Sequence, residues 1–219
     1  MAALEKPKRG FRSREKTRQK LIEAALRVMS VKGVDGTAIA DITEEADVGF
    51  GSFYNHFATK RDIARAAFNA HAQRLKTIFR QIADNEPDRA VAVTYIFQVF
   101  LTKAISDPIW GSFVVHAAAD LPGMWLEVFE EFGAQHLREG LAGGRFTFSS
   151  EKSAMRLIIA AIIATMRVLI EKTAEPSAGE NTVESLLRTL GVDADEAFEL
   201  SRRPLPAYVS QMLSGEGLR

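Results

Sequence analysis

Ser52, Tyr54, Asn55 and His56 sit close together around Phe53, which points the other way. Hydroxyl, phenol, amide and imidazole are the groups that bond phosphate oxygens and base edges. Phe53 and Phe57, four apart, mark the inward face of a helix expected over Phe50 to Phe57, so the polar groups fall on its other faces. A second element must hold this helix. Thr37 follows Gly33 and Gly36 and is expected to cap a first short helix whose apolar stripe is Ile39, Ile42 and Ala46. Asp47-Val48-Gly49 breaks the pattern between the two. That length suits a helix-turn-helix, in which the first helix crosses the phosphate backbone and the second enters the major groove. On this reading Thr37, Tyr54, His56 and Lys60 hold phosphates, Phe50, Ser52 and Asn55 lie nearest base edges, and Gly51 lets the backbone come close to the duplex.

The order Thr37, Ile42, Ala46, Val48, Gly51, Phe53, Tyr54, His56, Phe57, Lys60 resembles the DNA-binding domain of the TetR family of bacterial transcriptional regulators, over about Lys16 to Phe68. Two positions depart from the family pattern. Gly49 stands where Ser or Thr is common, a permissible cap at small cost, and Phe50 stands where a polar or basic residue is common. Phe50 either presses on a thymine methyl or folds back as core.

Charge is distributed in keeping with a polyanionic partner. The chain has 28 basic and 28 acidic side chains, yet residues 1–20 hold eight Lys and Arg against two Glu. Residues 1–13 read as a disordered basic arm, either a DNA contact or a solubilising tail; residues 14–60 as the reading domain; residues 61–219 as a second helical domain. There is no cysteine and the start has no apolar export core, so a cytoplasmic location is expected. The longest apolar stretch, Leu157 to Met166, falls short of the roughly 20 residues of a membrane span and reads as a packed helix, with no membrane partner.

The rest of the chain punctuates into helices. A first helix is expected over Arg14 to Val31, and a long one over Lys60 to Ile82 with Ile63, Ala67, Ala70, Leu75, Ile78, Phe79 and Ile82 inward, linking the domains as a lever. Further helices are expected over Arg89 to Ile105, Ile109 to Ala119, the stretch through Trp125 and Phe132, and Glu151 to Lys172. Gly140, Gly143 and Gly144 read as a loop, and capping-box spacings at Asn181–Glu184 and Asp193–Glu196 announce two last helices on either side of Gly191. The fold class is therefore all-α. Residues 157–168 are apolar around nearly the whole circumference, so one face can pack inward and another against a second copy.

The resemblance implies a homodimer paired through the last long helices and a small-molecule pocket in the second domain whose occupancy moves both reading heads on a palindromic operator. Phe97, Phe100, Trp110, Phe113, His116, Trp125 and Met166 are the candidates to line such a pocket, suited to a hydrophobic or aromatic molecule, with His116 as a polar anchor. Most aromatic residues at helical spacing are core. A regulator that works without ligand, controlled by abundance or a protein partner, is the alternative. Catalysis, metal and cofactor are not expected: His71, His116 and His136 lack the i, i+4 pairing of helical metal sites, and no glycine-rich phosphate loop or nucleophile elbow is present.

Overall fold

The computed structural model describes residues 9–121, 123 and 133–215, and among them the chain is all helix and connecting loop. Helix α1 (Arg9–Lys32), α2 (Ile39–Glu45) and α3 (Phe50–Tyr54) form the head. Helix α4 (Lys60–Asn85) leads into α5 (Arg89–Ser106), α6 (Pro108–Asp120), α7 (Ala134–Ala142), α8 (Glu151–Ile170), α9 (Ala178–Thr189), α10 (Ala194–Ser201) and α11 (Ala207–Ser214). The first helix starts at Arg9 rather than near Arg14, so residues 9–13 of the expected arm are helical; residues 1–8 lie outside the described residues.

One apolar core runs from head to body. In the head Leu21, Ala25, Met29, Ile42, Phe53 and Phe57 are buried together, and each large side chain among them stabilises the fold by about 1.5–3 kcal/mol through loss of apolar surface to water. Of the inward set expected for α4, Ala70 alone is exposed. Its start is fixed by a capping box: Thr59 accepts from the Asp62 amide and Asp62 reaches back to the Thr59 amide. Helices α5 and α6 meet at a 115° bend made by Asp107 and Pro108. Asp107 caps α6 through the Trp110 amide and pairs with Lys103 at 2.6 Å, while α6 packs along α1 on one side and α8 on the other.

Three expectations are corrected. Gly140 lies inside α7, because the ring of the buried Phe146 occupies the space where a Cβ would stand. Helix α9 begins at Ala178, and Asn181 uses its amide on Ser177 and Glu175 instead of opening the helix. A third C-terminal helix, α11, follows, its last carbonyls (Met212 and Leu213) taken up by the guanidinium of Arg74 on α4. Asp193 caps α10 through the Asp195 and Glu196 amides, at the expected place.

Candidate nucleic-acid interface and interior cavity

The connection between α2 and α3 is a tight turn. Val48 donates to the Thr43 carbonyl and Asp47 takes a positive φ of 52°, a conformation that a short polar side chain tolerates. Gly49 is the N-cap of α3, with no side-chain cap. Phe53 then buries completely and fixes the rotation of α3, so that Phe50 and Tyr54 both stand 54% exposed with ring centroids 5.8 Å apart, edge to face. Phe50 is therefore outside the core. Gly51 is exposed, and no atom lies within 4 Å of where its Cβ would be, so no crowding inside the chain requires a glycine there.

Ser52 is half-buried on the same turn. Asn55 is the exposed C-cap of α3, and its carbonyl accepts from the Arg14 guanidinium at 3.1 Å. His56 is half-buried beside Phe57; partial burial and the charges of Arg14 and Arg18 hold its pKa below the ordinary imidazole value. The helix ends at Tyr54, earlier than expected, and residues 55–56 form a turn.

Thr37 and Lys60 both bond within the chain, and Thr37 is not the cap of α2. Thr37 is 2% exposed, and its hydroxyl donates to the Gly33 carbonyl at 2.5 Å. The cap of α2 is Ala38, whose amide is satisfied by Asp41 at 2.9 Å; that hydrogen bond and Lys32 hold the Asp41 carboxyl below the usual carboxylate range. The Lys60 ammonium donates to the carbonyls of Asp35 and Thr37 at 2.6 and 3.2 Å, tying the start of α4 to the loop before α2. The reason is the chain's course: α4 starts beside that loop, whose carbonyls have no helical partner.

In the body, a void of about 20 Å³ lies between α4, α5, α7 and α8, walled by Phe79, Phe97, Phe100, His136, Met155 and Ile158 among others. The rings of Phe79 and Phe100 are 5.2 Å apart. His136 is buried with Nδ1 lacking any hydrogen-bond partner, and burial, reinforced by Arg89, lowers its pKa. An outer basin of about 390 Å³ adjoins the same wall, sharing Phe79 and His136 and edged by Lys76, Arg80, Arg89 and Glu139.

Phe97 and Phe100 thus face the void, whereas Trp110, Phe113 and Met166 are fully buried away from its wall. The α5–α6 bend turns α6 onto α1 and α8 instead. His116 is half-buried on α6 near Gly33, its Nδ1 also unpartnered, and Trp125 lies outside the described residues. His136 was not singled out from the sequence. An isolated histidine before a glycine-rich stretch carries no spacing signal, and only the packing of α7 onto α5 and α8 makes it a cavity wall. No cluster of metal-ligating side chains occurs among the described residues.

A short exposed helix with aromatic, amide and hydroxyl groups, held across a tight turn by a second helix, defines a helix-turn-helix DNA-binding protein. The comparisons agree. A family model described as bacterial regulatory proteins, tetR family, matches residues 21–67, and one described as tetracyclin repressor-like, C-terminal domain, matches residues 87–203. The chain belongs to the TetR family of transcriptional regulators, which are DNA-binding proteins and not enzymes. It is 46% identical over 48 residues to the HTH-type transcriptional repressor DhaR of Mycobacterium sp. (strain GP1), a match spanning 24% of that protein's length. The crystal structure of RolR in complex with resorcinol is similar with a TM-score of 0.71 and 28% identity, over 90% of this chain and 98% of that one. FadR from Bacillus subtilis in complex with stearoyl-CoA shares the fold with a TM-score of 0.63 at 17% identity, over 80% of this chain and 98% of that one.

Proposed function

We propose that the protein is a homodimeric repressor released from a palindromic operator when a small aromatic molecule enters the void between α4, α5, α7 and α8. The observation that carries this reading is the combination of an aromatic wall with a buried, unpartnered imidazole, His136 Nδ1. An unsatisfied polar atom in an apolar enclosure is costly, and a ligand hydroxyl repairs it. The similarity to the resorcinol-bound RolR structure supports a single hydroxylated ring as the first ligand to try.

Size supplies the switch. A cavity that accepts one benzene ring measures about 150 Å³, against the 20 Å³ present here. A ring therefore enters only by pushing the lining helices apart, and α4, which carries Lys60, is one of them. In a twofold dimer the two heads meet successive major-groove faces about 34–36 Å apart, so a small swing of both levers spoils the fit.

The pairing surface is α8 with α9. Helix α8 is long and apolar enough to cross a membrane by length and composition, with a mean hydropathy of 1.9, yet only a third of that stretch is buried. Leu157, Ala161, Thr165 and Val168 line an open groove with Thr182 and Leu186 of α9, and a 2.8 Å hydroxyl contact between Thr165 and Thr182 joins the two helices. A second copy laid on this groove gives the four-helix contact that DNA-binding dimers of this fold use.

The test is calorimetric titration of resorcinol and other single-ring phenols, with and without an operator selected from random duplexes. A hundredfold release requires about 2.7 kcal/mol of coupling, and reciprocity demands that operator weaken ligand binding by the same factor. Equal affinities in both titrations, for every phenol that binds, refute effector release.

A further inference from the structure

We propose that Asp120, at the end of α6, is a positioning residue that couples the body to the reading head by holding the loop from which α2 starts. Its Oδ2 accepts from the amides of Val34 and Asp35 at 2.7 and 3.0 Å. These are the first amides after α1 turns out of its helix at Gly33, where the backbone takes a φ of +72°. A carboxylate accepting two amide hydrogen bonds is a stronger tie than a neutral acceptor in the same place.

The tie is built from both sides. A Cβ on Gly33 would stand 3.0 Å from Asp120 Oδ2 and 3.9 Å from the Cβ of His116, so the glycine serves the left-handed turn and the close approach of α6 together. The same loop is held from the other direction by Lys60 on α4, through the carbonyls of Asp35 and Thr37. Residues 33–37 are thus pinned between α4 and α6, and α2 begins two residues later. Of the two pins, Asp120 is the one that belongs wholly to the body. Helix α6 lies against α8, whose Met155 and Ile158 wall the void together with His136 and Leu137 of α7. A displacement in the body therefore reaches the head through α6 as well as through the long lever α4.

The coupling is testable with DNA as the only probe, because linkage is reciprocal: whatever the body does to the head, operator binding at the head must do to the body. Amide hydrogen exchange is measured on the full-length wild type and on Asp120→Ala, each with and without the selected operator duplex. In the wild type, operator is expected to change exchange in the last turn of α6 and in α7. In Asp120→Ala those changes shrink to the part carried by α4, the Val34 and Asp35 amides exchange at least about tenfold faster, and operator still protects α3. Asp120→Asn keeps a carbonyl oxygen in the same position, so it restores part of the coupling; it also carries the test if the alanine variant does not fold or bind. Operator-induced changes in α6 and α7 of equal size in wild type and variants, or none in the wild type, overturn the proposal. Protection of α3 by operator is read separately and reports on DNA reading itself.

Discussion

Gly51→Ala separates folding from DNA reading. Gly51 is the second residue of α3, and the space its Cβ would enter is empty to 4 Å. The methyl group therefore meets nothing inside the protein. Alanine favours a helix over glycine by about 0.5–1 kcal/mol, reduced here because the helix is five residues long and the position lies in its first turn. For a chain of this size 1 kcal/mol corresponds to about 2–4 °C in Tm, so the variant should melt at the wild-type temperature or about 1–3 °C above it. On the DNA the same methyl projects from the face that carries Phe50 and Tyr54. If the backbone of residue 51 approaches the duplex closely, the added carbon forces a separation and weakens contacts on both half-sites. Operator affinity should fall about tenfold or more, that is about 1.4 kcal/mol. No cation is removed, so the slope of log affinity against log salt should not change. The assay is a binding isotherm at several salt concentrations beside a thermal melt. Unchanged affinity with an unchanged melt would refute the assignment of the start of α3 to the point of closest approach.

Tyr54→Phe should weaken binding to all duplexes about equally, whereas Asn55→Ala should shift base preference in a selection from random duplexes; a sequence-specific effect of the first and none of the second would reverse their roles. Leu157→Glu places a charge on the exposed apolar face of α8; on the proposed pairing through α8 and α9 the wild type should sediment as a dimer and the variant as a monomer with loss of operator binding, and equal sedimentation of the two would refute that pairing. Burial holds the imidazoles of His71 and His136 below their ordinary pKa, so the stability of the neutral forms is full above the unfolded value of about 6.5 and is lost as pH falls toward the folded values, by at most about 1.4 kcal/mol per pH unit for each group. Thermal melts between pH 7.5 and 5 should show this decline, and His136→Leu should flatten it; an equal slope in the variant would mean that the histidine is charged or exposed in the folded protein.

The helical periodicities of α4, α5 and α8 and the glycines around the reading unit were legible in the chain itself, because burial of an apolar stripe every 3.6 residues is a local property of sequence. Phe53 and Phe57 specified by spacing alone which way α3 must turn, and with that which side chains, Phe50 and Tyr54 among them, stay exposed. Three decisions belonged to tertiary structure. Thr37 and Lys60 have side chains suited to phosphate, but the loop before α2 leaves carbonyls unsatisfied, and the nearest donor is the ammonium at the start of α4. Trp110, Phe113, Phe97 and Phe100 are equally aromatic in sequence, and only the 115° turn between α5 and α6 buries the first pair away from the void and leaves the second on its wall. Asp120 and Gly33 are 87 residues apart in numbering and make contact only because α6 packs back along α1. Periodicity records which face of a helix is apolar; it carries no information on which other helix covers that face, and both the cavity wall and the tie between body and head are made of such pairings.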